Sequence, residues 1–410
     1  MSNQERITIL IGSGIMLDIS KKLSCKNITK KVICKQQIYL NEKVSLLKFV
    51  YEKLKEYHYN DNDNVNFEDI FHTLEMWSSL KTIQNPRIIK AYRSVFGMLG
   101  NMKKEFSEIQ DIFIHIALND IIDIVITEIA SYEKSVNEHS WFSDFFQSLK
   151  NEMPLDVFTL NYDTWMEQIL EEYNDGFEPV CDQYQVFSAN KLFNNFNELS
   201  TVNHLHGQIC FNPHLPIELE KVRKRKYYKA NNYDIVNNMK IIPKYRGGMM
   251  STQAAEQIYQ YPIITGLRKN DKILMPPFDA YYTHLYEKLR KNKNLLVIGY
   301  GFGDLYINAL LSQFREFHGE DGKVICIDFL NENKWVHNMA DMKHLSNNMK
   351  HTIYNMFDDV GLPYRYLGHD IKDCDSIIDA ENKRSRLYLC GFKKAVISHK
   401  NDILQFYIQN

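Results

Sequence analysis

Asn161-Tyr162-Asp163 follows the apolar run at residues 157–160. An amide both donates and accepts, so Asn161 is suited to hold a carboxamide, a ribose hydroxyl or a water. Taken alone, Asn161 reads at least as well as the N-cap of a following helix. His206 closes the run at residues 202–206 and is followed by Gly207, which leaves room beside the imidazole. Its ordinary pKa suits acid–base work near neutral pH. Taken alone, a histidine at a strand end reads better as a structural hydrogen-bonding group. His204 is assigned to the opposite face of the same strand and set aside.

Gly12-Ser13-Gly14 follows a β-branched run at residues 7–11. Such a turn lets the backbone approach a phosphate, and a following helix adds its N-terminal amides. Many glycine turns after strands only reverse the chain, so the motif is weak by itself. Gly299, Gly301 and Gly303 form a second glycine loop after an apolar strand. Three glycines in five residues suggest a backbone that bends sharply or admits a ligand. Asp304 reads as the N-cap of the next helix, and both readings can hold together. Asp328 ends the run at residues 324–328 and is either a ribose-diol acceptor or a plain turn residue.

The elements that must position these residues follow from periodicity. Apolar runs at residues 7–11, 157–160, 202–206, 295–298 and 324–328 read as strands, and 273–275 as a further one before Pro276-Pro277. Helical spacing appears at residues 47–54, 70–77, 164–173, 280–289 and 305–317. Residues 111–132 are apolar almost all round, as in a buried helix. Strands alternating with helices predict an α/β fold, a Rossmann-like mostly parallel sheet with a large helical insertion. The unusual residues lie at five strand ends, where such sheets bind ligands. The division expected is residues 1–40 with 151–330 as the Rossmann domain, 41–150 as the helical insertion and 331–410 as a C-terminal extension.

Of the 410 residues 44% are hydrophobic, enough for a sizeable core, and the net charge of −2 gives no global pull toward nucleic acid or anionic membrane. Seven scattered cysteines with no Cys-x-x-Cys pair argue against a disulfide framework and against a four-cysteine zinc site, so no metal is expected. The N-terminus lacks signal-peptide features, and the most apolar stretch carries several charges that are costly in a bilayer. A cytoplasmic protein without membrane contact is expected.

The ordered series IGSG, TLNYD, HLHG and VIGYGFGD resembles the sirtuin-like (SIR2-like) family, and the last motif, followed by Ile307-Asn308, is similar to its bacterial anti-phage defence branch. The resemblance implies an NAD-binding fold. Asn161 would orient the attacking group or water beside the nicotinamide ribose, Asp163 would lie near the carboxamide, and His206 would be the general base. Gly12, Ser13 and Gly14 would contact the diphosphate. Gly299, Gly301 and Asp328 would line the adenosine side. The deacylases of the family carry an Asp-Phe-Arg segment after the first turn; this chain reads Ile15-Met16-Leu17-Asp18 there. They also carry a four-cysteine zinc module, for which this chain has no cysteine pairs. The resemblance therefore implies an NAD+ glycohydrolase, with NAD+ as substrate and nicotinamide and ADP-ribose as products, depleting NAD in defence. The alternatives are an NAD-dependent deacylase or ADP-ribosyltransferase, and a non-catalytic NAD or ADP-ribose sensor.

Uncontrolled NAD hydrolysis would harm its host. The resemblance to the defence branch implies control by a partner, with a HerA-like ATPase as candidate, or by homo-oligomerisation, for which residues 41–150 are the candidate surface. The basic run at residues 221–229, with two tyrosines, is the one segment suited to nucleic acid; a solvated loop or helix face is the better reading of it.

Overall fold

The computed structural model describes residues 5–39, 42–57, 65–82, 111–194, 199–212, 227–234, 248–251, 257–265, 269–329, 377–379 and 383–408. Among these, seven strands form the main sheet: β1 (Ile7–Ile11), β2 (Leu155–Thr159), β3 (Thr201–His204), β4 (Asn294–Ile298), β5 (Lys323–Ile327), β6 (Ile377–Asp379) and β7 (Ser385–Tyr388). Their order is β6-β7-β5-β4-β1-β2-β3. Every pairing is parallel except β6 with β7. The fold is thus α/β and Rossmann-like. The strand order reverses between β1 and β4, the place where open α/β sheets form their ligand crevice.

The continuous apolar runs reflect burial on both faces, as parallel sheets require. Strands β1, β2, β4 and β5 are buried along their whole length. Alternate residues face opposite layers. Leu10, Phe158, Leu295 and Val297 pack with Tyr281, Leu285 and Leu289 of the Phe278–Lys291 helix. Ile9, Val157, Leu296 and Ile325 pack on the other side with Phe145 and Phe146 of the Ser140–Glu152 helix and with Phe392 and Ala395 of the Phe392–Ile408 helix. Each fully buried large apolar side chain contributes about 1.5–3 kcal/mol.

A third core belongs to the helices Cys25–Cys34, Leu46–Tyr57, Phe67–Thr82 and Asp111–Ala130. It reaches the body through Ile209, Cys210, Tyr261 and Ile263. Buried Lys272 donates to Glu75 at 2.6 Å and ties the two parts together. No helix among the described residues is long and apolar enough to cross a membrane.

Two expectations change. Residues 273–275 are not a strand: Ile273 ends the Lys269–Ile273 helix, because its apolar side chain fills the body core rather than a sheet position. Residues 221–226 of the basic run lie outside the described residues. Tyr227, Tyr228 and Lys229 at its end are buried, and Lys229 bonds Asp175 at 2.7 Å, so that end is not a solvated face.

The sheet is stapled at the edge away from the crevice. Asp156, fully buried on β2, takes a bidentate pair from Arg6, with both contacts at 2.9 Å. Lys288, Thr201 and Asn292 also reach it. Burial alone would raise the carboxyl, but the Arg6 hydrogen bonds and the nearby cations outweigh it and hold the pKa at about 2. Asp156 thus stabilises the fold fully above its unfolded value of about 3.9, and that contribution is lost as pH falls from about 4 toward 2. Arg6→Ala breaks a buried pair and is expected to cost about 3–5 kcal/mol, read as a lowered urea midpoint at neutral pH. An unchanged midpoint would remove this staple from the account.

Candidate active site

The first glycine turn follows β1 directly. Gly12 N–H donates to the Ile298 carbonyl at 2.8 Å and Gly14 N–H to the Gly299 carbonyl at 2.9 Å. A Cβ on Gly12 would lie 2.5 Å from the Gly299 oxygen, and one on Gly14 2.8 Å from it. Gly299 has φ +58°, a left-handed conformation, and its own Cβ would meet Ile15 N at 2.6 Å. These three glycines therefore lock the β1 and β4 loops together. The helix that follows, Gly14–Ile19, has only six residues, so its dipole is small.

Around this junction opens a cavity of about 780 Å³. That lies within the usual 300–1,000 Å³ of small-molecule sites. Ser13, Asn161, Asp163, His206 and Gly301 line it. Gly12, Gly14, Gly299 and Asp328 do not. Asp328 stands one strand further out at the end of β5. There burial raises its pKa to about 6, opposed in part by the Phe329 N–H at 2.8 Å.

Asn161 lies in the loop after β2. Its N–H donates to Thr159 Oγ1 at 3.0 Å, and its carbonyl meets His204 Nδ1 at 3.2 Å. Its side chain has no protein partner among the described residues. It is not the cap of the next helix: Thr164 holds that position, and Asp163 Oδ1 accepts from Trp165 N at 3.0 Å. Asp163 Oδ2 is buried with no partner among the described residues. Burial is the main reason its pKa rises to about 6, with the Trp165 N–H and His204 opposing. Beside it, burial and then the Asp163 charge push Glu133 up to about 8.

β3 stops at His204, and the chain turns at Leu205–Gly207. Residues two apart on a strand share a face, so continued strand would have aimed both histidines alike. The turn separates them. His206 lines the cavity, while His204 is buried behind Asn161 against Glu167 at 2.9 Å. Gly207 has φ +90°, and a Cβ there would sit 2.1 Å from the Pro262 carbonyl oxygen. Ile264 N–H donates to the His206 carbonyl at 2.7 Å, fixing the turn.

His206 Nε2 lies 3.2 Å from Asp304 Oδ2. Asp304 Oδ1 meanwhile caps the Leu305–Leu311 helix through Tyr306 N and Ile307 N. Burial lowers the His206 pKa despite the Asp304 hydrogen bond. Burial would raise Asp304, but the His206 hydrogen bond and the helix N–H leave it lowered. The pair is thus a neutral imidazole donating Nε2–H to a carboxylate, which assigns the basic lone pair to Nδ1. Asn308 braces this loop: it accepts from the Tyr300 hydroxyl at 2.7 Å and donates to the Phe302 carbonyl at 2.9 Å. Gly301 and Gly303 have open space where a Cβ would be.

A family model described as the SIR2-like domain matches residues 156–334. The matched segment, less than half of the chain, is similar to that family. It contains Asn161, Asp163, His206 and the loop at residues 299–304, and begins after the first glycine turn. No curated protein matches the chain significantly. Among solved structures, one described as the structural basis for sirtuin substrate affinity is 11% identical, covering 80% of this chain and 83% of that one, with TM-score 0.28. Sir2Tm bound to a propionylated peptide is 10% identical, covering 87% and 94%, also with TM-score 0.28. Likeness of that degree places no individual residue.

Asp304, read from sequence only as a cap, is the residue that sequence reasoning missed. Its signal was the polar end of a glycine loop with one carboxylate oxygen to spare. The apolar wall of the cavity takes Phe67, Val125 and Ile129 from the helical insertion and Ile28 from the Cys25–Cys34 helix packed with it. Among the described residues no group of three or more His, Cys, Asp or Glu is arranged to hold a metal.

Two variants test this geometry. Gly12→Ala drives a methyl into backbone rather than into a yielding side chain and is expected to abolish soluble expression or lower stability by about 1–3 kcal/mol or more. Asp304→Asn keeps the cap but removes the charge facing the imidazole. The His206 pKa is then expected to fall further in an NMR titration of its ring proton; an unchanged or raised value contradicts the pairing.

Proposed function

We propose that the chain is an NAD+ glycohydrolase that breaks the bond between nicotinamide and ribose, releasing nicotinamide and ADP-ribose. The observation that carries this reading is the convergence of the uncommitted Asn161 amide, the unpartnered Asp163 oxygen and the His206–Asp304 pair in one cavity at the strand-order reversal. The SIR2-like match over residues 156–334 supports NAD as the ligand.

The residues suit the substrate. A carboxylate oxygen buried without a donor accepts from a carboxamide N–H, which is Asp163's role. Ser13 and the open loop at Gly301 and Gly303 leave room for the diphosphate and ribose side. Gly12, Gly14 and Gly299 shape that wall from behind, and Asp328 is assigned to the adenosine end.

As nicotinamide departs with the bonding electron pair, positive charge develops on the ribose, as in other glycoside cleavages. Water supplies the new C–O bond and loses one proton. Neutral His206 accepts that proton at Nδ1, and the Asp304 carboxylate stabilises the imidazolium that forms. Asn161 orients the water. The apolar wall from the insertion limits bulk water around the developing charge.

The likeness of Val297–Asp304 to the defence branch supports a role in anti-phage NAD depletion, held in check by a partner such as a HerA-like ATPase or by self-assembly. Asn161→Ala and His206→Ala, each verified as folded by thermal melting, are expected to lower nicotinamide release from NAD+ by at least about 10²-fold. Unchanged turnover in either purified variant sinks the assignment.

A further inference from the structure

Behind the cavity lies a buried polar group that the proposed chemistry does not use. His204 is about 1% exposed and Glu167 about 7%, and neither lines the cavity. His204 Nε2 meets Glu167 Oε1 at 2.9 Å, and His204 Nδ1 meets the Asn161 carbonyl at 3.2 Å. Glu167 also accepts from the Gln208 amide and from Lys229 Nζ at 3.5 Å. These contacts all fall on Oε1, Oε2 being buried without a partner among the described residues; an ionised carboxylate and a backbone carbonyl can only accept. The Asn161 carbonyl fixes a proton on Nδ1, while Nε2 lies 2.9 Å from both Glu167 Oε1 and the Gln208 amide nitrogen; the adjacent Glu167 charge favours a proton there too, which makes the ring an imidazolium.

We infer that the Glu167–His204 ion pair positions Asn161: its second ring N–H grips the Asn161 carbonyl while Thr159 holds the Asn161 N–H, fixing the peptide from both sides. The amide side chain then projects into the cavity from a locked backbone. This rests on the reading of Asn161 as the residue that orients the attacking water. Glu167 and His204 touch nothing in the cavity, so they are positioning residues.

The charged groups facing His204 are Glu167 from the Trp165–Leu170 helix, Lys229 from the Tyr228–Ala230 strand and Asp163 from the loop after β2. Burial disfavours the imidazolium and Glu167 favours it. Lys229 opposes it but is itself paired with Asp175 at 2.7 Å. The balance leaves the His204 pKa raised.

The test uses the full chain with ¹⁵N-labelled histidine, together with Glu167→Gln and His204→Gln. In the unmodified protein one buried histidine is expected to show two protonated ring nitrogens at about pH 7.5, where an ordinary histidine is mostly neutral. Glu167→Gln is expected to lose that signal and to shift the Tyr162 backbone amide, which follows the Asn161 carbonyl. It is also expected to lower kcat for nicotinamide release by about 10²-fold while KM stays within about three-fold, the mark of lost orientation rather than lost binding. Arg6→Ala, destabilised far from the cavity, serves as the control and is expected to keep kcat. A neutral His204 in the unmodified protein overturns the inference, as does Glu167→Gln with kcat within about three-fold of the parent. If the parent releases no nicotinamide, the NAD reading fails by itself, and the imidazolium signal and the Tyr162 shift still decide the ion pair.

Discussion

The backbone of the β1 loop and that of the β4 loop touch, and most of the crevice depends on that contact. Gly12 and Gly14 leave no space for a side chain against Gly299, and Gly299 returns the same demand against Ile15. The approach occurs where the strand order reverses, so two adjacent loops that would otherwise splay apart are drawn into one wall. The glycines thus have a packing duty that stands whether or not a phosphate ever meets them. Their neighbours Ser13 and Gly301 are the ones left facing the open space.

Two histidines two positions apart illustrate how local backbone decides chemistry. His206 is buried beside one carboxylate that already serves a helix end, so it stays neutral and basic. His204 is buried beside the Glu167 carboxylate and faces a carbonyl on its far side, a setting that favours a second proton. The same residue type is given different protonation by partners on different elements. The strand ends at His204 and the chain turns through Leu205, which separates the two rings, and Gly207 (φ +90°) then brings the backbone close to Pro262.

Much of the fold was legible because continuous β-branched runs have few other uses. Strands β1, β2, β4 and β5 were read within a residue or two, and their glycine and polar ends with them. What periodicity could not show was pairing order, and hence that residues 385–388 return to the same sheet as β7. Ile273 was misread because a short apolar run before prolines looks alike in strand and helix. Asn161 and His206 could be read together because each follows a strand, and Asp163 joined them only through the family resemblance. Asp304 and Glu167 could not, since carboxylates at a helix start and within a helix have many ordinary uses, and only tertiary proximity singles them out. The wall supplied by Val125 and Ile129 was equally hidden, as these side chains look like any others on the apolar stripe of a helix.

The order in which the sheet is assembled has a consequence for the life of the chain. β1 is the first strand to emerge in synthesis, yet one of its neighbours is the fourth, at residues 294–298. His206 waits for Asp304 across 98 positions, and the glycine junction waits for Gly299. A growing or truncated polypeptide ending anywhere before these residues has strand ends but no enclosed chamber. Whatever reaction the chamber performs is therefore withheld until residues 299–304 have been made, a safeguard that comes from topology and needs no inhibitor.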